Sequence, residues 1–278
     1  MEILILPDTD AVAARAAGIV GDMVARRPRA VLGLATGGTP VAMYAALVQR
    51  HRKEDMSFAG VTSFNLDEYL GLPQDSPLRY RRYMGEHLFQ HIDIDPANTH
   101  LPECAPGADP RTVGPAYEQA IEAAGGIDLQ VLGIGANGHI GFNEPGSSLG
   151  SRTRVKTLAQ RTVDDNSRLL GEGDEQPELA ITMGIATIMA ARRILLLATG
   201  EHKARAIALA LEGPITAMHP ASILQTHPRV RVILDEPAAQ ELAQLNYYRW
   251  VEKQNESIAA RHGGSADVDP WFHPSVDP

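Results

Sequence analysis

Apolar positions along this chain fall into short unbroken runs separated by longer amphipathic stretches. The runs Glu2 to Leu6, Ala30 to Leu34, Val61 to Leu66, Ile127 to Leu132, Arg193 to Thr199 and Val230 to Leu234 read as buried strands. Between them, apolar residues recur at helical spacing. From Asp8, a candidate N-cap, to about Arg27, the residues Val12, Ala16, Ile19, Val20 and Met23 share one face. Further helices are expected over about Pro40 to Arg52, with proline in the first turn, and over Leu78 to Gln90, Thr112 to Ala124, Lys203 to Leu211 and Ala238 to Val251. Strands separated by helices imply parallel pairing through right-handed crossovers. The pattern therefore predicts an α/β fold: a doubly wound, mostly parallel sheet with helices on both faces, Rossmann-like, in one domain over residues 1–251.

Two stretches break the pattern. Ser151 to Glu178 is polar, charged and interrupted by glycines, and reads either as a lid over a site or as a surface insertion. Residues 252–278 form a C-terminal extension whose last part, Gly263 to Pro278, is proline-bearing and aperiodic. It reads as poorly ordered, with Trp271 and Phe272 as its only large apolar groups.

Composition narrows the partners. At 278 residues, with 44% hydrophobic and 21% charged residues, the chain is an ordinary globular protein with enough length for a substantial core. A formal charge of -9 argues against nucleic acid or an anionic membrane as a partner. Cys104 is the single cysteine, which excludes an internal disulfide and a thiolate cluster. The run Ile3 to Leu6 is too short for a signal peptide, and no stretch approaches the roughly 18 apolar residues of a membrane span. A cytoplasmic location is expected.

Three loops at strand ends carry the candidate chemistry. The first is Ala35-Thr36-Gly37-Gly38-Thr39-Pro40, between a strand and a helix. Its backbone N–H groups, hydroxyls and helix N-terminus suit a phosphate, although the ending of a Walker A loop is absent. Lys203, also just after a strand, offers a charge to the same anion. The second loop is Phe64-Asn65-Leu66-Asp67-Glu68-Tyr69, where one of the adjacent carboxylates is a candidate general base. The competing use of Asp-Glu is a helix cap and its first-turn acid.

The third loop runs from Gly133 to Pro145 and holds His139 and Glu144. Gly133, Gly135 and Gly138 spell a dinucleotide fingerprint, but Phe142 to Ser147 cannot open the helix that such a loop needs. No acidic residue follows at the distance that would hold a ribose, so no nicotinamide cofactor is expected. His139, His202, His219 and His227 never pair at metal-ligand spacing. No metal is expected, and most of these histidines read as solvated.

Taken together, Leu32 to Pro40, Phe64 to Tyr69, Gly133 to Pro145 and Ser147 to Thr157 resemble the glucosamine-6-phosphate deaminase family. The likeness runs from about residue 1 to 250, and Gly-His-Ile-Gly-Phe-Asn-Glu-Pro is its most specific part. The resemblance implies conversion of glucosamine 6-phosphate and water to fructose 6-phosphate and ammonium, without cofactor. It assigns ring opening to His139, held by Asn137 and Glu144. Asp67 would move a proton from C2 to C1, and Thr36, Gly37, Gly38, Arg168 and Lys203 would bind the phosphate. Some members carry Asp where this chain has Asn137, which bears on the pH profile.

The same resemblance places Ser147, Arg154, Lys156 and Thr157 at a second phosphate site. That site implies a homo-oligomer, hexameric in some members, activated by N-acetylglucosamine 6-phosphate. The alternatives on the same architecture are a 6-phosphogluconolactonase-like hydrolase, a galactosamine-6-phosphate isomerase and a sugar-phosphate sensor without turnover. Asp67, His139 and Glu144 together argue against the sensor.

Overall fold

The computed structural model describes residues 1–54, 56–158 and 177–261. The chain runs β1 (Glu2–Leu6), α1 (Thr9–Arg26), β2 (Val31–Leu34), α2 (Gly38–Lys53), β3 (Thr62–Asn65), β4 (Asp67–Tyr69), α3 (Tyr80–His87), β5 (Thr99–His100), α4 (Val113–Ala123) and β6 (Leu129–Leu132). It continues with β7 (Arg154–Thr157), β8 (Leu179–Thr182), α5 (Ile185–Met189), β9 (Ile194–Ala198), α6 (Ala204–Glu212), β10 (Val230–Asp235), α7 (Glu236–Ala239) and α8 (Leu245–Arg261).

Seven strands form one parallel sheet in the order β1-β10-β9-β6-β2-β3-β5. Its central strands are apolar on both faces because helices cover both. On one side Leu129, Val131, Leu195, Leu197 and Ile233 pack with α1 and α2, where Val12, Ala16, Ile19, Val20 and Met23 are buried as their spacing predicts. On the other side Leu132, Leu196, Val232 and Leu234 meet Ile121 of α4, Ile188 of α5 and Ile207 of α6. Fully burying one such Ile or Leu side chain is worth about 1.5–3 kcal/mol, so these two layers hold the domain together. Asp8 caps α1 as expected, its Oδ1 accepting the Ala11 N–H at 2.8 Å.

The strand order reverses beside β2. From β2 the chain steps to β3 and β5 on one side, and β6 returns on the other. Such a switch point opens a crevice at the carboxyl ends of the strands. The loops after β2 and β6 flank it here.

A second, three-stranded antiparallel sheet, β4-β8-β7, was not legible in the sequence. The chain leaves the main sheet at Leu66. Its N–H still bonds the Leu34 carbonyl, at 3.0 Å, while its own carbonyl takes the Met183 N–H at 2.7 Å. Strand β7 lies within the stretch expected as a lid or insertion. Residues 159–176, which make up most of that stretch, lie outside the described residues.

Three helix boundaries differ from expectation. α2 begins at Gly38, so Pro40 is its third residue. The helix expected over Ala238 to Val251 is two: α7 stops at Ala239, and α8 starts at Leu245 and runs past residue 251 to Arg261. Glu212, at the end of α6, accepts the N–H groups of Ala243 at 2.7 Å and Gln244 at 2.8 Å and so fixes where α8 begins. α3 starts at Tyr80 and ends at His87, inside the expected Leu78 to Gln90. No helix among the described residues is long and apolar enough to cross a membrane.

Candidate active site

The crevice at the switch point is a cleft of about 430 Å³ lined by all three candidate loops. Thr36, Gly37, Gly38, Asp67, Asn137, His139, Glu144 and Lys203 all face it. Arg168 lies outside the described residues.

The loop after β2 forms one wall. Gly37 sits at φ 113°, a left-handed backbone that glycine adopts without strain, and turns the chain into α2. The N-cap of α2, Gly37, has no side chain to bond the first N–H groups, and this end of the helix, with the positive end of its dipole, lines the cleft. Two tyrosines hold the loop from behind. Tyr44 donates its hydroxyl to the Ala35 carbonyl at 2.6 Å, and Tyr83 donates to that of Gly37 at 2.7 Å. Across the cleft, Lys203 ends the single turn Glu201–Lys203 that leads into α6. A ready anion cradle and an ammonium thus come from two different strand ends.

The loop after β6 carries the imidazole. The Asn137 Oδ1 lies 2.7 Å from His139 Nδ1, and the Asn137 Nδ2 donates to Glu144 Oε2 at 2.6 Å. Glu144 Oε1 is also 3.4 Å from His139 Nδ1. An amide oxygen only accepts, so the proton of the neutral ring sits on Nδ1 and the lone pair of Nε2 is left for a substrate. Burial alone would raise the Glu144 carboxyl. The His139 hydrogen bond and charge, the Asn137 amide and the positive charge of Lys156 outweigh it and hold the carboxyl below its usual range.

The glycines of this loop make room for the protein's own side chains. A Cβ on Gly135 would meet the His139 ring at 2.2 Å, and one on Gly138, at φ 85°, would meet the His219 ring at 2.2 Å. His219 and His227 are buried, against the expectation of solvated histidines, and each Nε2 bonds a backbone carbonyl, of Ala206 and Ala191 respectively. Among the described residues no group of three His, Cys, Asp or Glu is placed to hold a metal ion.

Asp67 and Glu68 lie on β4, so neither is the cap or first-turn acid of a helix that follows directly. Glu68 instead accepts the N–H groups of Tyr80 and Arg81, each at 2.9 Å, at the start of α3. Asp67 faces the cleft, only 5% exposed. Burial, then the neighbouring Glu68 charge, pushes its carboxyl up to about 8, against a hydrogen bond from Thr182 that favours the ionised form. A carboxyl raised in this way is a base matched to near-neutral chemistry.

Some lining residues had no sequence signal. Tyr80 stacks on Phe142 at 9° and 6.1 Å, and its hydroxyl meets that of Tyr69 at 3.1 Å, forming an aromatic wall beside Asp67. Tyr69 belongs to a motif already singled out, but Tyr80 arrives only through tertiary packing. The residues expected at a second phosphate site are not part of the cleft lining. Arg154 donates to Asn143 Oδ1 at 3.0 Å and to the Arg152 carbonyl at 3.3 Å. Ser147 is buried, its hydroxyl without a hydrogen-bond partner among the described residues, and Thr157 is exposed at the end of β7.

An uncapped helix end, a buried carboxylate and a held imidazole meeting at the switch point of a doubly wound sheet have the layout of an enzyme site. The chain belongs to the family of glucosamine-6-phosphate isomerases and 6-phosphogluconolactonases, whose family model matches residues 8–233. It is 51% identical over 263 residues to the glucosamine-6-phosphate deaminase of Colwellia psychrerythraea, covering 95% of this chain and 98% of that one. Identity to the enzyme of the same name from Shewanella loihica is 54% over 263 residues, covering 94% and 97%. A solved structure described as a monomeric glucosamine-6-phosphate deaminase superposes with a TM-score of 0.83 at 44% identity, covering 87% of this chain and 100% of that one. The 6-phosphogluconolactonase of Trypanosoma brucei, at 23% identity and a TM-score of 0.68, shares the fold.

Proposed function

We propose that the chain deaminates and isomerises glucosamine 6-phosphate, giving fructose 6-phosphate and ammonium in the cytoplasmic catabolism of amino sugars. The observation that carries this reading is Asp67, a buried carboxylate raised to about 8 in the same cleft as the His139–Asn137–Glu144 chain. An aldose-to-ketose shift needs one base that reaches two adjacent carbons on one face of a planar intermediate. It also needs a second group that gives and takes protons during ring opening.

The placement of these side chains around one cleft supports the roles that the resemblance implies. Thr36, Gly37, Gly38 and Lys203 hold the phosphate at the helix N-terminus, and Arg168 is proposed to join them. His139, with Nε2 free, moves the proton between the ring and anomeric oxygens, while Asn137 and Glu144 fix its tautomer and stabilise its charged form. Asp67 takes the C2 proton and returns it to C1. The resulting imine at C2 adds water and releases ammonia. Each proton is carried by a side chain, so the sequence of steps calls for no metal or organic cofactor.

Ammonium release measured over a panel of sugar phosphates tests the reading. Glucosamine 6-phosphate is expected to be the best substrate. Turnover of 6-phosphogluconolactone, or preference for galactosamine 6-phosphate, would replace it with one of the related activities.

Regulation is a separate proposal: a homo-oligomer, up to a hexamer, activated by N-acetylglucosamine 6-phosphate at Ser147, Arg154, Lys156 and Thr157. It is favoured by the buried Ser147 hydroxyl, without a hydrogen-bond partner among the described residues, and by Lys156, whose charge acts on Glu144. Against it stands the 44% identical relative described as monomeric. Sizing chromatography and substrate titration with and without the effector decide it. A monomer with a hyperbolic curve that ignores the effector would remove this proposal and leave the catalytic reading intact.

A further inference from the structure

Thr182 ends β8 with its side chain fully buried, and in the antiparallel register it stands directly opposite Asp67 of β4. Directly opposed residues of an antiparallel pair project to the same face. The Thr182 hydroxyl acts on the Asp67 carboxyl as a donor would, favouring its ionised form. A Cβ built on Gly141 would lie 2.9 Å from Thr182 Oγ1 and 3.4 Å from Asp67 Oδ2, so both oxygens converge on that one glycine. At φ 56°, Gly141 belongs to the left-handed region and leaves this space open.

The hydroxyl has one proton and two lone pairs. The Phe142 N–H takes one lone pair, donating to Oγ1 at 3.1 Å. The proton has two acceptors in reach, the Asp67 carboxylate and the Met183 carbonyl at 3.3 Å. Met183 already accepts from Asn143 Nδ2 at 2.8 Å, and an ionised carboxylate is the stronger acceptor. When Asp67 is ionised, the hydroxyl therefore donates to it. When Asp67 carries a proton, the hydroxyl can turn toward Met183 and offer Asp67 its second lone pair.

We propose that Thr182 is a positioning residue for Asp67: a buried hydroxyl, oriented by the Phe142 N–H, that reverses its hydrogen bond as Asp67 takes and returns the substrate proton. This rests on the deaminase reading given above. The reversal needs no net displacement of either strand, and it keeps the carboxylate aimed at the same point in both protonation states. The other titratable groups around Asp67 are Glu68 on its own strand, Tyr80 on α3 and Tyr117 on α4. His139, Glu144 and Lys203 line the same cleft. All of them are retained when residue 182 alone is changed.

The test compares wild type, Thr182→Val and Thr182→Ser in the pH dependence of kcat/KM for glucosamine 6-phosphate. Titrations of the substrate are common to all three and cancel in the comparison. Loss of a donor to a charged group is expected to move the acid limb of the Val variant upward by about one to two pH units. KM above the limb should stay near the wild-type value, and Ser should restore the limb. A packing role alone would lower kcat equally at every pH. If Val does not fold, Thr182→Ala serves for the same comparison. An acid limb that coincides with wild type overturns the inference. A carbon-13 titration of the Asp67 carboxyl in the ligand-free protein reads the same shift without turnover. An inactive wild type would thus defeat the functional reading, whereas an unmoved Asp67 titration would defeat this one.

Discussion

Asp67 and Glu68 are consecutive residues whose carboxylates serve opposite sides of strand β4. Glu68 accepts backbone N–H groups at the start of α3, while Asp67 stands in the cleft beneath Phe142 and Gly141. The pleat of a strand separates them, since successive side chains point to opposite faces. One carboxylate thus serves structure, and its charge adds to burial in raising the proton affinity of the other.

Asp67→Asn is expected to lower kcat by about 10²–10⁴, the usual contribution of a positioned general base, while sugar-phosphate binding persists. The same change should stabilise the fold. A carboxyl raised from 3.8 to about 8 gives stability that is fully present below the lower value and lost as pH rises through the upper one. The advantage of Asn over Asp should therefore grow between about pH 4 and pH 8, reaching about a few kcal/mol. Thermal melts across that range check the sign. A destabilised variant would show that Asp67 is not buried as described.

Glu68→Gln should act in two ways. Removing the adjacent negative charge should move the acid limb of kcat/KM to lower pH, opposite to the shift expected for loss of the Thr182 hydroxyl. The amide offers one acceptor where the carboxylate serves the N–H groups of Tyr69, Tyr80 and Arg81, so about 1–3 kcal/mol of stability should be lost. pH–rate profiles and denaturant unfolding report the two effects separately.

Lys203→Ala should raise KM by about 10–100-fold, the worth of a hydrogen bond to a charged group, with a smaller effect on kcat. The phosphate does not react, so its contacts bind ground and transition states alike. Glucosamine without phosphate should show the same pattern in wild type. A fall in kcat with unchanged KM would move Lys203 out of the phosphate site.

Gly138→Ala should cost about 1–3 kcal/mol, since an L-residue is strained at φ 85° and its Cβ would meet the His219 ring at 2.2 Å. Gly138 lies between Asn137 and His139, so kcat should fall as well. An active and fully stable variant would mean that His219 does not brace the loop.

The sequence was most legible where chemistry and local backbone demands coincide. Gly37 and the glycines around His139 announce turns and close approach, and Asp67-Glu68 announces a strand end. Which of the two carboxylates faces the cleft was not legible, because that depends on Asp67 pairing with Thr182 some hundred residues later in the chain. β7 and β8 were missed for the same reason: four residues each, one mixed in polarity and the other a brief apolar run, they become strands only against one another and β4. His219 and His227 looked solvated because a buried histidine satisfied by a backbone carbonyl leaves no local pattern. Tyr80 gave no signal, since Glu68 decides where its helix begins.

The depth of Asp67 also sets the fate of a hydrogen atom. At 5% exposure, with Thr182, Gly141 and the aromatic wall around it, the carboxyl has little contact with bulk solvent, and less once a sugar fills the cleft. On the proposed mechanism a hydrogen taken from C2 should therefore stay with the enzyme until it is handed to C1, instead of mixing with water. Glucosamine 6-phosphate deuterated at C2 should yield fructose 6-phosphate carrying much of that deuterium at C1, and turnover of unlabelled substrate in heavy water should incorporate correspondingly little. The fraction retained counts how often water reaches this carboxyl between two steps of a single turnover, so the isotopic composition of the product becomes a gauge of the closed site.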